Sequence, residues 1–352
     1  MACESGTRGF RIGELQMAKD TRIYGYYKAS TPISYFIVGG LGTDAVLEGQ
    51  IAPTEKNGTP YIEQGVGLIK EGAGTYTLTN NNNMLTAGLR ILDGRILINN
   101  DKAEAAENGL TGATGYTKSG TQTTVFGNGV LGGDGNLAAD VDVYGKLEPG
   151  CDGIGTLTLK NYAATDRSVS LYVRPSTVIE CEIESAESYD RIEVDGNVTF
   201  YNITEDFNES DNKPVVKVVL KDGFTYKAGE EYVLVRAKGK TSLNDVEWSF
   251  DVEKPAGEWI VEERTDESGY QLVLKADVPN AISGVTGAQK GITAANGIVY
   301  VSCEEPTEVN IYSAAGSLIK TVAAQRGINA IPAAKGVLII KAGDMTGKVI
   351  NE

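Results

Sequence analysis

The sequence predicts an all-β protein whose chain lays one strand upon the next. Between residues 145 and 201, four runs alternate apolar and polar residues as half-buried strands do, at 156–160, 168–173, 177–183 and 191–194. Gly, Pro, Asn or Asp bounds each run, and the connections are too short to hold a crossover helix. The 43 glycines, with frequent Thr, Val, Ile and Asn, also favour a turn-dense β protein.

The first hundred residues contain eight further candidate strands. Glycine-containing turns separate most of them, and the apolar residues never keep a helical period for three turns. The predicted strands are 9–15, 22–27, 35–38, 45–51, 65–69, 75–79, 88–92 and 95–99. Residues 101–122 break the pattern with a short Ala/Glu run and small polar residues, which predicts a surface excursion.

Charge and composition exclude several classes of function. A net charge of −15 disfavours nucleic acid and anionic lipid as partners, since both require clustered Lys and Arg. The chain has no histidine, which removes the commonest general base and transition-metal ligand. No apolar run is long enough for a membrane span, and the first residues have the features of neither a signal peptide nor a lipobox. We therefore predict no membrane insertion, no cofactor, no metal site and no catalytic residue.

The four cysteines are widely separated and form no CxxC pair. This spacing indicates neither a zinc site nor a disulfide scaffold. A bond between Cys151 and Cys181 stays open if the two residues fall on neighbouring coils. Because strand-like sequence begins almost at once, at residue 10, we expect further chain upstream, and that part could be catalytic.

The most regular segment lies between residues 66 and 98. A Leu-x-Lys-x-Gly-x-Gly-Thr-x-x-Leu pattern precedes an Asn-rich turn and two strands joined by Asp93-Gly94, and its positions are filled by Leu68, Lys70, Gly72, Gly74, Thr75 and Leu78. This segment resembles the passenger-associated repeat of autotransporter proteins. The usual Gly-Gly turn of that repeat is replaced here by Asp93-Gly94. The resemblance implies a right-handed parallel β-helix. In it, Asn80 to Asn83 would form a turn ladder of amides bonded between coils, or simply a polar loop.

Residues 145 to 237 resemble autotransporter passengers most closely. They carry Leu-x-Pro-Gly, Ile-Gly-Thr-Leu, Asp-x-Ile-x-Val-x-Gly, Gly-Phe-Thr and Ala-Gly motifs, which begin at Leu147, Ile154, Asp190, Gly223 and Ala228. The resemblance implies that residues 60–277 are the C-terminal coils of a β-helix. The interior candidates are Ile154, Leu157, Ile179, Ile183, Ile192 and Val194.

Two sets of polar or aromatic residues are candidate sites. Glu180, Glu182 and Glu184 share one face of a strand, which suits a cation site or a glycosidase carboxylate pair but more commonly a solvated surface. Exposed tyrosines on a flat sheet stack on sugars, whereas half-buried ones are ordinary strand residues. The candidate glycan-stacking residues are Tyr24, Tyr26, Tyr27 and Tyr35.

The last part of the chain predicts a separate domain. A Pro/Gly/Ser-containing linker is expected at 279–291, which leaves 1–278 as the β-helix and 292–352 as the second domain. Residues 281–352 hold six basic and five acidic residues, a net charge of +1. Because the whole chain carries −15, residues 1–280 carry −16. Strand patterns with turn signals every eight to twelve residues predict a small sandwich here.

This segment carries Val-x-Ile-Tyr-x-x-x-Gly-x-Leu-Ile-Lys from Val309, Gly-Val-Leu-Ile-Ile-Lys from Gly336 and a late Lys-Val-Ile. These motifs resemble the C-terminal sorting domain of type IX secretion substrates in Bacteroidetes, with Leu338 in place of Tyr. The resemblance implies an Ig-like β-sandwich that contacts the secretion machinery. A purely structural β-sandwich cap is the alternative.

Together these features predict a secreted or outer-cell-surface protein of structural or adhesin-like type, not an enzyme. Its expected partner is a polysaccharide or a host or cell-surface glycan, through carbohydrate binding along the β-helix. The alternative is the non-catalytic C-terminal part of a β-helical polysaccharide lyase or glycoside hydrolase.

Overall fold

The fold is seen in a computed structural model of the chain, and it is all-β. The structure describes residues 7–25, 33–56, 59–60, 65–101, 122–150, 152–161, 168–202, 212–241, 246–251, 258–277, 291–295 and 297–351. Within these ranges no residue is helical. The excursion at 101–122 and the linker at 279–291 lie almost wholly outside them. The chain forms two compact units, Met1–Ala276 and Asp277–Glu352.

Among the described residues, twenty-three strands belong to the first unit. In chain order they are β1 Thr7–Ile12, β2 Arg22–Tyr24, β3 Ile33–Val38, β4 Ala45–Leu47, β5 Gln50–Ala52, β6 Glu55–Lys56, β7 Thr59–Pro60, β8 Gly65–Lys70, β9 Thr75–Leu78, β10 Gly88–Ile98, β11 Gln122–Gly133, β12 Asn136–Leu137, β13 Asp140–Val143, β14 Lys146–Pro149, β15 Thr156–Leu159, β16 Leu171–Val173, β17 Val178–Ile183, β18 Arg191–Phe200, β19 Val215–Leu220, β20 Glu231–Lys240, β21 Glu247–Phe250, β22 Glu258–Asp266 and β23 Gly269–Asp277.

Parallel pairing arranges most of these strands into three series. The first series is β1, β3, β8, the first half of β10, the first half of β11, β13, β16 and the second half of β18. The second series is β4, β9, the second halves of β10 and β11, β14, β17, β19 and β21. The third series contains the pair β2–β5 and the run β12, β15, the first half of β18, and β20.

The chain visits the three series in a fixed cyclic order. For example, it passes from β3 to β4 to β5 and then returns to the first series at β8. Each return pairs with the strand laid down one circuit earlier, so backbone groups at one strand edge are satisfied by the next circuit. This arrangement is compatible with a β-solenoid. Antiparallel pairing of β20 with β23 ends the parallel order.

Alternation of side chains divides each strand into an inner and an outer face. On β17, Ile179, Cys181 and Ile183 are buried, while the glutamates between them point outward. Of the interior candidates, Leu157, Ile179, Ile183, Ile192 and Val194 are confirmed as buried. Ile154 is only half-buried, because it lies in the turn before β15 and not on a strand.

Tight turns between the first and second series explain two residues of the Leu-x-Lys-x-Gly pattern. Gly72 and Gly94 lie on successive circuits with φ of 71° and 69°, in the left-handed region. A Cβ on Gly94 would overlap the carbonyl oxygen of Gly72. The ammonium of the fully buried Lys70 donates to the carbonyls of Glu71 at 2.9 Å and of Asp93 at 3.3 Å. The lysine therefore satisfies turn carbonyls of two circuits at once.

The described part of the second unit contains seven antiparallel strands in two sheets. They are β24 Ile292–Ala295, β25 Ile298–Cys303, β26 Thr307–Ser313, β27 Leu318–Ala324, β28 Gly327–Pro332, β29 Gly336–Ala342 and β30 Met345–Asn351. One sheet has the order β24-β25-β28 and the other β27-β26-β29-β30. Between them lies a core that includes Val299, Val301, Val309, Ile311 and Ile340.

We expect Gly94→Ala to lower the free energy of unfolding by at least about 2 kcal/mol, because it adds a left-handed non-glycine residue and a clash with the neighbouring circuit. Gly127→Ala is the matched control, since apart from its chain neighbours no described residue has a heavy atom within 4 Å of the added methyl group. Urea unfolding of both variants measures the difference. Equal midpoints for the two variants would contradict the close packing of the circuits.

Candidate functional site

The structure places the described tyrosines of the predicted glycan site on different strand series. Tyr24, on β2, is 40% exposed, and its hydroxyl accepts a hydrogen bond from Arg22 Nη1 at 3.1 Å. Tyr35, on β3, is half-buried and donates to the carbonyl of Ala87 at 3.4 Å. The Arg90 guanidinium lies 5.2 Å from the centre of the Tyr35 ring. Tyr26 and Tyr27 lie outside the described residues.

Beside Tyr24, a polar groove of about 490 Å³ crosses four circuits of the chain. It follows the turns that lead from the second series to the third. Its walls are formed by polar side chains: Lys19 to Arg22, Glu48, Gln50, Thr79 to Asn82, Asn99 and Asp101. Arg22 and Tyr24 are two residues apart on β2 and therefore share its outer face, so an aromatic ring stands near the groove wall.

Asparagine side chains hold the groove walls together by bonding to backbone. Asn80 Nδ2 donates to the carbonyl of Glu48 at 2.8 Å, and Asn83 Oδ1 accepts from the amide of Ile51 at 2.8 Å. Asn81 Oδ1 accepts from the amide of Asp101 at 2.8 Å. Other bonds stay within the segment: Asn80 Oδ1 accepts from the amide of Asn82 at 2.8 Å, and Asn83 Nδ2 donates to the carbonyl of Asn80 at 3.3 Å. The segment thus bonds both to the backbone of adjacent circuits and to itself. The reason is that each turn leaves backbone groups without strand partners.

Several side chains of the groove keep their hydrogen-bonding capacity. Within the described part of the chain, Lys19, Asp20, Glu48 and Asn99 make no side-chain hydrogen bond or ion pair. All four are exposed. A polar ligand in the groove would therefore meet donors and acceptors that bond to no described side chain or backbone group.

A second groove, of about 370 Å³, contains the acidic residues of the second series. Glu148, Glu180, Glu182 and Asp190 line it together with Arg95 and Asp152. Glu180 forms ion pairs with Lys146 at 2.9 Å and Lys217 at 2.8 Å. Although burial opposes its ionisation, hydrogen bonds from these two lysines hold the pKa of Glu180 below its usual value.

The neighbouring glutamates are also engaged: Glu182 lies on β17, Glu184 directly after it, and Glu148 on β14. Glu182 pairs with Lys221 at 2.8 Å, and Glu184 accepts a hydrogen bond from Ser188 Oγ at 2.8 Å. Glu148 lies 3.0 Å from Arg95 Nε and also pairs with Lys146. The acidic strand face is therefore a ladder of cross-strand ion pairs, which sequence alone did not indicate because the lysines lie more than thirty residues away from Glu180.

Asp190 is the one deeply buried carboxylate of this groove. Its two oxygens accept hydrogen bonds from the amides of Gly155 at 2.8 Å and Glu182 at 2.9 Å. Burial raises the pKa of Asp190 to about 7, against the effect of these two donors. By joining the turn before β15 to β17, Asp190 fixes the connection that leads into β18.

An aromatic column lies at another turn, directly after the strands of the first series. Phe126 and Tyr144 stack at 6.5 Å on successive circuits. Arg174 follows on the next circuit, with its guanidinium 5.3 Å from the Tyr144 ring and 4.2 Å from the Tyr201 ring. It also forms a bidentate pair with Asp142, at 2.6 and 2.8 Å. The rings stack on one another and on the guanidinium of Arg174, and these contacts stabilise the turn.

The described residues hold few other chemical groups of interest. Cys181 and Cys303 are buried free thiols, while Cys151 and Cys3 lie outside the described ranges. Burial raises the pKa of the Cys181 thiol well above its ordinary value. Across the described ranges, no three His, Cys, Asp or Glu side chains are grouped so as to hold a metal ion. The same ranges contain no helix that is long and apolar enough to cross a membrane.

Comparison with known proteins gives no relative: no family matches the chain, and no curated protein is significantly similar to it.

The raised pKa of Asp190 predicts a pH-dependent stability. Between about pH 4 and 7 the folded protein holds a proton that the unfolded chain has released, so stability should fall as pH rises through this window. Asp190→Asn abolishes that titration, and it also costs about 1–3 kcal/mol because one backbone amide loses its acceptor.

Urea unfolding at pH 4.5, 6 and 7.5 measures both effects. The variant should be less stable than wild type but show a flatter pH profile. Asp152→Asn, which replaces an exposed carboxylate of the same groove, should follow the wild-type profile. If the unfolding free energy of Asp190→Asn depended on pH as strongly as that of wild type, Asp190 would not be the group responsible.

Proposed function

We propose that this chain is a secreted or cell-surface protein of structural, adhesin-like type that contacts glycans and does not act as an enzyme. The observation that carries the proposal is the polar groove, which runs across four circuits and, beside Tyr24, holds hydrogen-bonding groups that no described residue pairs with. Saccharides present many hydroxyl groups, and a groove of such donors and acceptors is suited to them.

The proposed architecture of the first unit is a right-handed parallel β-helix. The three strand series and their cyclic order support it, because each circuit covers the open edge of the one before. Connections between parallel strands of one sheet are right-handed in about 98% of known cases, which favours this hand. Such a stack places its turns on the outside, where they are available to a ligand.

For the second unit we propose an Ig-like β-sandwich that acts as a type IX sorting domain and contacts the secretion machinery. Seven antiparallel strands in two sheets around one core support the sandwich. The sorting role is supported by the sequence motifs that begin at Val309 and Gly336.

The competing proposal is that the first unit is part of a β-helical lyase or glycoside hydrolase. Hydrolysis of this kind requires two carboxyl groups free to act as acid and as base or nucleophile. In the acidic groove, Glu148, Glu180 and Glu182 are ion-paired, and Asp190 is bound by two backbone amides. These contacts favour a structural role for the acidic face.

A glycan array probed with the full chain tests the proposed function. We expect binding to a restricted set of saccharides, and we expect Tyr24→Ala to weaken that binding by about three- to tenfold through loss of a stacking surface. Tyr300→Ala is the comparison, since it removes a tyrosine of the second unit.

Incubation of the same glycans with the protein addresses the enzymatic alternative. Release of reducing or unsaturated sugars would contradict the non-enzymatic assignment. An array without any binder would contradict the glycan-contacting role.

A further inference from the structure

We infer that the polar groove binds a neutral oligosaccharide of about three units, which lies along the stacking direction of the circuits. This inference rests on the proposed function and extends it by naming the site, the ligand class and the ligand's orientation. Three properties of the groove carry it: its direction, its charge and its free polar groups.

The direction of the groove follows from the order of the circuits whose residues form its walls. The groove is lined successively by residues of the first circuit around Asp20, the second around Glu48, the third around Asn80 and the fourth around Asn99. Neighbouring strands are about 4.8 Å apart, so four circuits span about 14 Å. A sugar unit of an extended chain is close in length to one such spacing, and a trisaccharide therefore fits from the first circuit to the fourth.

The charge of the groove selects against acidic saccharides. Asp20, Glu48 and Asp101 supply three carboxylates, against the two cations Lys19 and Arg22. Arg22 is also held by Glu55 at 3.3 Å, which reduces its capacity to bind an anion. The first 280 residues carry a net charge of −16, so the surrounding field repels a polyanion as well. Uronate and sialate polymers are thus disfavoured.

The free polar groups suit sugar hydroxyls. Glu48 and Asp20 offer carboxylate acceptors, Lys19 offers donors, and Asn99 offers both. These four side chains have no partner in the described part of the chain, whereas the carboxylates of the acidic groove are nearly all paired. Tyr24, on the same strand face as Arg22, adds a partly exposed ring on which a further pyranose face can stack.

The test is a titration of the full chain with glucose oligomers of one to five units, in both the α1,4- and β1,4-linked series, followed by calorimetry or NMR. Oligogalacturonides of the same lengths serve as anionic probes. We expect the affinity for one neutral series to rise up to three units and then level off, while the anionic series binds at least tenfold more weakly.

Variants then locate the site. Asn99→Ala and Glu48→Ala should each weaken binding of the neutral trimer by about three- to tenfold, the effect of losing one hydrogen bond. Asn202→Ala and Glu247→Ala are matched controls, because they remove exposed side chains of the same types from other turns and strands, and they should bind as wild type. Unfolding midpoints of all four variants should stay near wild type, since none of these side chains has an internal partner among the described residues.

The outcomes separate this inference from the proposed function. If saccharides bind but Asn99→Ala and Glu48→Ala bind as wild type, the groove assignment is wrong and glycan contact stands. Tighter binding of oligogalacturonides than of the neutral series would overturn the ligand class. If neither the neutral oligomers nor any glycan of the array binds, both the inference and the proposed function are rejected.

Discussion

Backbone pairing between one circuit of the chain and the next is the constraint on which the rest of this structure depends. Parallel strands lie about 4.8 Å apart, so every turn is stacked on another turn at the same distance. At the turn that holds Gly72 and Gly94, the carbonyl of one circuit occupies the space that a Cβ of the next would need. The ammonium group of Lys70 then donates hydrogen bonds to carbonyl groups of these turns. The strand register therefore determines both where glycine is required in the turns and where the buried Lys70 finds its hydrogen-bond acceptors.

The same stacking determines what appears on the surface. Residues eighteen or more positions apart become neighbours at strand spacing, so single side chains line up in columns. One column gives the ion pairs around Glu180, a second gives the stack of Phe126, Tyr144 and Arg174, and a third gives the polar groove. In the first two columns the groups satisfy one another, so those surfaces contribute to stability. In the groove, the side chains of Glu48 and Asn99 have no partner among the described residues, which is why the proposed ligand is placed there.

Local pattern predicted much of the fold and little of the site. Alternation in residues 177–183 identified β17 and its buried face, and the turn residues marked most strand ends to within one residue. Three predicted strands, 88–92, 95–99 and 191–194, are parts of longer strands. The first two are joined in β10, which continues from the first series into the second, and β18 continues from the third series into the first. The groove was not predictable, since it unites Asp20, Glu48 and Asn99 across separations that only the register defines. Asn80 to Asn83 stood out as a turn, but their bonds to the backbone depend on which circuit lies alongside.

The register itself can be measured directly by disulfide formation between introduced cysteines. Lys217 on β19 and Ser249 on β21 are partners in the second series and lie on the outer face. Cysteines at partnered positions of adjacent strands fall within the Cα separation that a disulfide allows, whereas an offset of two residues exceeds about 7 Å. Under mild oxidation, peptide mass spectrometry should find the 217–249 bond in the Lys217→Cys, Ser249→Cys variant, and little or no bond when Asp251→Cys replaces Ser249→Cys. Equal bond formation in both variants, or none in either, would contradict the stacked register on which this account rests.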